Sequence, residues 1–153
     1  MRLLITLISL LLLFGCSSDT EVIPPIMPYS YSTTELDLIN KVNDYRVANG
    51  LTPLQSVEHI GYLCSEHNQT MIQLGTINHQ NFESRIHNLK LTMGVTNVSE
   101  LVAGNYSTNQ SVLSAFLSDP LCKNILEENR DRIGVSVSIS PTGRKYYTLI
   151  LVK

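Results

Sequence analysis

The side chains best suited to ligate a metal or exchange protons near neutrality are His59, His67, His79 and His87, with the thiols of Cys64 and Cys122. They are not equally placed. His67 falls on the apolar face of an amphipathic stretch, where a histidine is expected to be a satisfied core residue, while His59 and His87 read as exposed. His79 lies just past that stretch in a loop, so the loop is expected to form one wall of any functional site. Cys64 and Cys122 are the thiols left once Cys16 is set apart. They form one disulfide or stay as two buried free thiols; the sequence does not bring their Cα atoms within bonding range. Nucleophilic catalysis has no local support: there is no G-x-S-x-G elbow, no serine tied to a histidine, and no evident base for Cys122.

The stretch that positions His79 runs from Ser56. Ile60, Leu63, Cys64, His67, Met71 and Leu74 recur at steps of three and four, which makes one buried helical face. Ser56 is suited to cap the first turn, Glu58 to meet the positive end of the dipole, and Gly75 to take the left-handed conformation that stops the helix.

The start of the chain is not fold. Met1-Arg2 is a short basic start, Leu3 to Phe14 is an apolar run too short to span a bilayer comfortably, and Leu13-Phe14-Gly15-Cys16 looks like a bacterial lipobox. Residues 1–15 are therefore expected to be a lipoprotein signal peptide, with Cys16 the lipidated residue that anchors the protein to a membrane. Residues 16–31 carry Pro24, Pro25 and Pro28 and read as a tether; residues 32–153 read as one domain. Export favours the disulfide between Cys64 and Cys122. About 138 residues follow the leader, enough for a single core. The net charge of −2, with signs interspersed, gives no footprint for nucleic acid.

Ser32-Thr33-Thr34-Glu35 reads as a capping box opening a helix to Asn49, with Leu36, Ile39, Val42 and Val47 inward. Asn81 is suited to cap a short helix carrying Phe82, Ile86 and Leu89 inward, with Arg85 able to reach a carboxylate or carbonyl. Val98 to Ala103 reads as a strand. Asn109 reads as the cap of a helix that buries Val112, Leu113 and Phe116 and ends at Pro120. Ile133, Val135, Val137 and Ile139 alternate with small residues, and Tyr146 to Val152 is apolar on both faces, as in a central strand covered on both sides. Sequons occur at Asn68, Asn97 and Asn105, but a bacterial leader argues against their use.

Asn43 and Arg46, Gly50-Leu51, Pro53-Leu54, Cys64-Ser65-Glu66-His67 with Met71, Asn78-His79, and Phe82 with Arg85 follow one another along the chain. Ser99-Glu100-Leu101-Val102-Ala103-Gly104, Ala115-Phe116, Cys122-Lys123-Asn124-Ile125-Leu126, Ile133-Gly134-Val135 and Tyr146-Tyr147-Thr148 complete the series. In order and spacing it resembles the CAP superfamily (cysteine-rich secretory proteins, antigen 5, pathogenesis-related 1), in particular its bacterial SCP-like branch. The resemblance spans nearly all of Glu35 to Lys153 and implies an α+β fold, a three-layer α-β-α sandwich of the CAP type.

It also implies a central cleft lined by two histidines and two acids, which in some members holds a divalent metal. His79 matches the first histidine, and Glu100 the acid of the G-E-N-[IL]-A segment. The second histidine is missing: against S-P-G-H-C-x-N-I-[ML], the run Ser118 to Leu126 places Leu121 there, or Cys122 if shifted by one. Asp119 is the nearest candidate for the second acid. One histidine and one glutamate should bind zinc weakly, since zinc sites use three or four protein ligands. Two readings remain open. One is a membrane-anchored, non-enzymatic module at the bacterial cell envelope, on an outer membrane or cell surface, binding a lipid, a cell-wall fragment or a protein. The other is a metal-dependent envelope hydrolase using His79, Glu100 and Cys122 or Asp119.

Overall fold

The computed structural model describes residues 21–153. The expected leader (1–15), Cys16 and the first residues of the expected tether lie outside the described residues.

Helix α1 (Thr33–Ala48) opens at the capping box read from the sequence: Glu35 N donates to Ser32 Oγ, and Ser32 N donates to Glu35 Oε2. Its buried stripe is Glu35, Leu38, Ile39, Val42 and Arg46. Leu36 and Val47, expected inside, are exposed. The stripe is displaced because two charged residues lie on it with their partners supplied. Arg46 donates to the carbonyls of Thr52, Leu126 and Glu128, tying α1 to the loop after it and to the end of α5 (Pro120–Glu127).

A two-residue strand, β1 (Gln55–Ser56), then pairs parallel to β3 (Arg132–Ile139). Ser56 is therefore in the sheet, and α2 (Glu58–Leu74) starts at Val57 with no side-chain cap; Gly75 ends it at φ 67° as expected. Helix α3 (Phe82–Met93) buries Arg85 and Leu89, while Phe82 and Ile86 are half-buried. Asn81 precedes it in a left-handed conformation and its side chain caps nothing. Strand β2 (Val98–Gly104) follows, then α4 (Asn109–Ser118), which is capped by Thr108 rather than Asn109. The Asn109 amide instead donates to Thr34 O and Asp37 Oδ2, each at 2.7 Å, clamping α4 to α1. Pro120 opens α5 rather than only closing α4: Asp119 accepts from the amides of Leu121 and Cys122, and proline occupies the first turn, where its missing N–H costs nothing.

The sheet order is β1-β3-β4-β2, with β4 (Lys145–Val152) antiparallel to both neighbours. Period-two alternation sorts the side chains into two cores. Ile133, Val135, Tyr147, Leu149 and Leu151 pack with α1, α4 and α5, whereas Ile150 and Val152 pack with Ile60, Leu63 and Cys64 of α2 and Leu89 of α3. The fold is a three-layer α-β-α sandwich, as the resemblance implies. The small residues of β3 face α2 rather than water. A Cβ built on Gly134 would come within 2.5 Å of Gly61 N, so glycine there allows helix and strand backbones to approach closely. Asn68 fills the next step of this seam, donating to Ser136 O and Tyr146 O and accepting from Thr148 Oγ1.

The layers also correct the disulfide. Both cysteines are free thiols: Cys64 belongs to the core under α2 and contacts Gly134 O, while Cys122 packs with the core on the other side of the sheet. The sheet stands between them, which no disulfide can span.

Residues 27–31, expected to belong to a tether, are docked on the domain. Met27 N donates to His59 Nδ1, Tyr31 Oη donates to Val57 O, and Tyr29 Oη donates to Glu35 Oε1 at 2.6 Å. Burial and this hydrogen bond raise the Tyr29 phenol to about 12. Gly61 leaves room for the two tyrosines; a Cβ there would meet both rings. His59, expected at the surface, is buried beneath this strap, its Nε2–H donating to Asn88 Oδ1 at 2.8 Å.

Candidate cleft at the edge of the sheet

Strand β2 is an edge strand, and the two helical layers meet around it. Glu100 lies on its α2/α3 side with a fully buried carboxylate. An unpaired carboxylate there would be prohibitively costly, and Arg85 of α3 supplies the counter-charge. Arg85 Nε donates to Glu100 Oε2 at 2.7 Å and Arg85 Nη2 to Oε1 at 2.8 Å, a bidentate fork; its Nη1 donates to Gln80 O.

His79 Nδ1 donates to Glu100 Oε1 at 2.9 Å while the ring stays 55% exposed. With Nδ1–H held by the carboxylate, a neutral His79 has Nε2 as its free acceptor. The loop holding it is itself fixed: His67 Nε2 donates to Asn78 O at 2.7 Å, and Asn78 Oδ1 accepts from Gln80 N. His67 is the buried core histidine expected from its helical position, and burial lowers its pKa, with the Glu100 charge partly opposing. Its Nδ1 is buried without a partner.

A cavity of about 280 Å³ opens beside this network, lined by His79, Glu100, Leu101, Val102, Asp119, Leu121, Cys122 and Ile125. All four candidate site residues thus share one cleft. Their chemistry is unequal. The Asp119 carboxylate caps α5, and the Cys122 thiol is pushed up by burial and by the Asp119 charge, away from the thiolate that binds metal. Leu121, at the position of the missing histidine, is 78% exposed. Among the described residues no three His, Cys, Asp or Glu side chains converge as a metal cluster would require. The donor set does not fit zinc: both Glu100 oxygens are engaged by a guanidinium, and the Asp119 carboxylate is taken up by the first turn of α5.

The interplay of Arg85 and Glu100 was legible only as reach, since nothing local names which carboxylate an arginine on α3 will meet. The roles of His67 and Asn78 in fixing the His79 loop carried no sequence signal beyond the buried position of His67.

The family model described as CAP, cysteine-rich secretory protein family, matches residues 39–151. Among curated proteins no match was found. Of the solved structures, an outer surface protein from Borrelia burgdorferi superposes with a TM-score of 0.71 at 21% identity, covering 83% of this chain and 98% of that one. A cysteine-rich secretory protein from Staphylococcus aureus gives 0.67 at 15% identity over 78% of this chain and 38% of that one. An extracellular protein containing an SCP domain from Bacillus anthracis gives 0.66 at 17% identity over 78% and 40%. The match over residues 39–151 carries the assignment: the chain belongs to the cysteine-rich secretory protein (CAP) family.

Proposed function

We propose that this protein is a lipid-anchored CAP module of the bacterial cell envelope whose cleft binds a ligand without catalysing its reaction. The observation that carries the reading is the bidentate hold of Arg85 on Glu100, which makes the cleft's acid a structural partner of His79 rather than a base or metal ligand. What remains open to a ligand is the free edge of His79 beside Leu121 and Ile125, a polar point on an apolar wall. A lipid, a cell-wall fragment or a protein side chain suits such a surface.

The anchor rests on Met1-Arg2, the apolar run to Phe14 and Leu13-Phe14-Gly15-Cys16. In this reading residues 1–15 are removed, Cys16 is acylated, and the following residues tether the domain outside the cytoplasm. The structural relatives described as outer surface or extracellular proteins support the location. No described helix is long and apolar enough to cross a membrane.

A metal-dependent hydrolase is the weaker alternative, given that Arg85 engages the Glu100 carboxylate and the first turn of α5 takes up that of Asp119. Calorimetric titration of zinc into the purified protein, beside His79→Ala, tests the choice. Binding no tighter than millimolar in both supports the binding module. Micromolar affinity abolished in the variant overturns it. For the anchor, Cys16→Ala should move the protein from the membrane to the soluble fraction; unchanged membrane association would sink that part of the reading.

A further inference from the structure

Val22, Ile23 and Ile26 are 86%, 65% and 65% exposed, three aliphatic side chains within five residues. They sit immediately before the docked strap, whose hold on the domain begins at Met27 N and His59 Nδ1. The segment leading into the strap is also tied, where Glu21 pairs with His87 of α3 at 2.9 Å. Ile26 and Met27 further wall an apolar cavity of about 310 Å³ with Val57, Glu58, His59 and Met93, which shares no residue with the His79 cleft. Exposed aliphatic residues that are held in place rather than left on a free tail mark a contact surface.

The occupant follows from where the described chain ends. Val22 lies six residues after Cys16, a reach of at most about 21 Å when fully extended. A bilayer holding Cys16 is thus within reach of Val22 at all times. We propose that Val22, Ile23 and Ile26 form a second membrane contact, entering the boundary between headgroups and acyl chains and laying the strap face of the domain on the bilayer. The proposal rests on acylation of Cys16. Glu58 at the cavity rim and Glu21 beside Val22 offer no attraction to anionic lipid, so the contact is apolar and belongs equally on zwitterionic bilayers.

The chain has no tryptophan, so one introduced at Ile23 is a unique reporter, and one at Leu74, exposed at the end of α2 far from the strap and outside the cleft, is its control. The experiment uses the full-length acylated protein reconstituted in phosphatidylcholine vesicles with brominated acyl chains. Ile23→Trp is expected to be quenched at least about twofold more than Leu74→Trp, with blue-shifted emission, as for a side chain at the acyl boundary. Equal quenching overturns the contact. A blue shift without bromine quenching overturns it too and assigns the patch to a protein partner or a second copy. A mass spectrum of the same sample separates the two readings: an unmodified Cys16 removes the anchor and this proposal together, whereas an acylated Cys16 with no quenching in the Ile23→Trp variant removes the contact alone.

Discussion

Arg85 grips both carboxylate oxygens of Glu100 from the neighbouring helix, at 2.7 and 2.8 Å, with neither charge open to solvent. Removing one member of such a pair strands the other. Arg85→Ala is expected to destabilise the domain by about 3–5 kcal/mol in urea unfolding, and Glu100→Gln in the same background to restore part of that loss. If Arg85→Ala alone costs less than about 1 kcal/mol, within the range of an exposed pair, the fork is not a buried one.

Glu35 gives a second test of a buried carboxylate. It accepts from Tyr29 Oη, Ser32 N, Ser32 Oγ and Val137 N, so it closes α1, the strap and β3 on one group. Glu35→Ala should cost about 2–4 kcal/mol and expose the strap to proteolysis before the rest unfolds. Limited digestion followed by mass analysis checks this; a strap still protected in the variant would show that the tyrosines alone hold it.

Acid sensitivity is expected from His67. Its pKa is lowered in the fold by burial, so the unfolded chain binds the extra proton as pH falls below the ordinary value of 6.5. Stability is therefore full above that value, declines as pH drops through it, and levels off below the folded pKa. His67→Gln, which keeps a donor for Asn78 O, should flatten the decline below pH 6.5 relative to wild type. Parallel slopes in the two proteins would assign the acid sensitivity elsewhere.

The α2–β3 seam predicts a backbone effect. Gly134→Ala places a methyl group against the main chain of Ile60 and Gly61, which cannot rotate aside, so a loss of about 3 kcal/mol or more is expected in thermal unfolding. A small shift in midpoint would mean that helix and strand separate easily there.

Free thiols give a chemical check. Without reductant, both Cys64 and Cys122 should be alkylated after unfolding; in the native protein Cys64 should stay unreactive and Cys122 react slowly. A non-reducing mass two hydrogen atoms lighter would restore the disulfide.

Local pattern carried far in this chain where the decisive contacts are local. The Ser32 capping box, the Gly75 stop, the buried face of α2 as far as Met71 and the doubly covered β4 were all readable from local pattern, whereas Leu74, expected on that face, is exposed in the last turn. The cleft was readable from resemblance, which placed His79 and Glu100 together. What escaped depends on distant partners. The face of a sheet on which a cysteine lands is set by strand register and helix placement, so Cys64 and Cys122 looked like a pair. His59 looked exposed because the strap that covers it comes from residues 27–31. Pro120 looked like an ending because Asp119, directly before it, is equally the start of α5. Apolar counting also missed the stripe of α1, where Glu35 and Arg46 are buried with partners from β3, α5 and the following loop.

Asn68 bears on how the protein is produced. It belongs to an Asn-Gln-Thr sequon, yet it is wholly buried and its amide bridges β3 and β4. In a eukaryotic secretory host, a glycan added there during synthesis would occupy the amide nitrogen and put a bulky sugar where α2 meets the sheet. Glycosylated chains should then be retained or degraded rather than secreted. Thr70→Ala removes the acceptor signal while leaving Asn68 in place, and should raise the secreted yield.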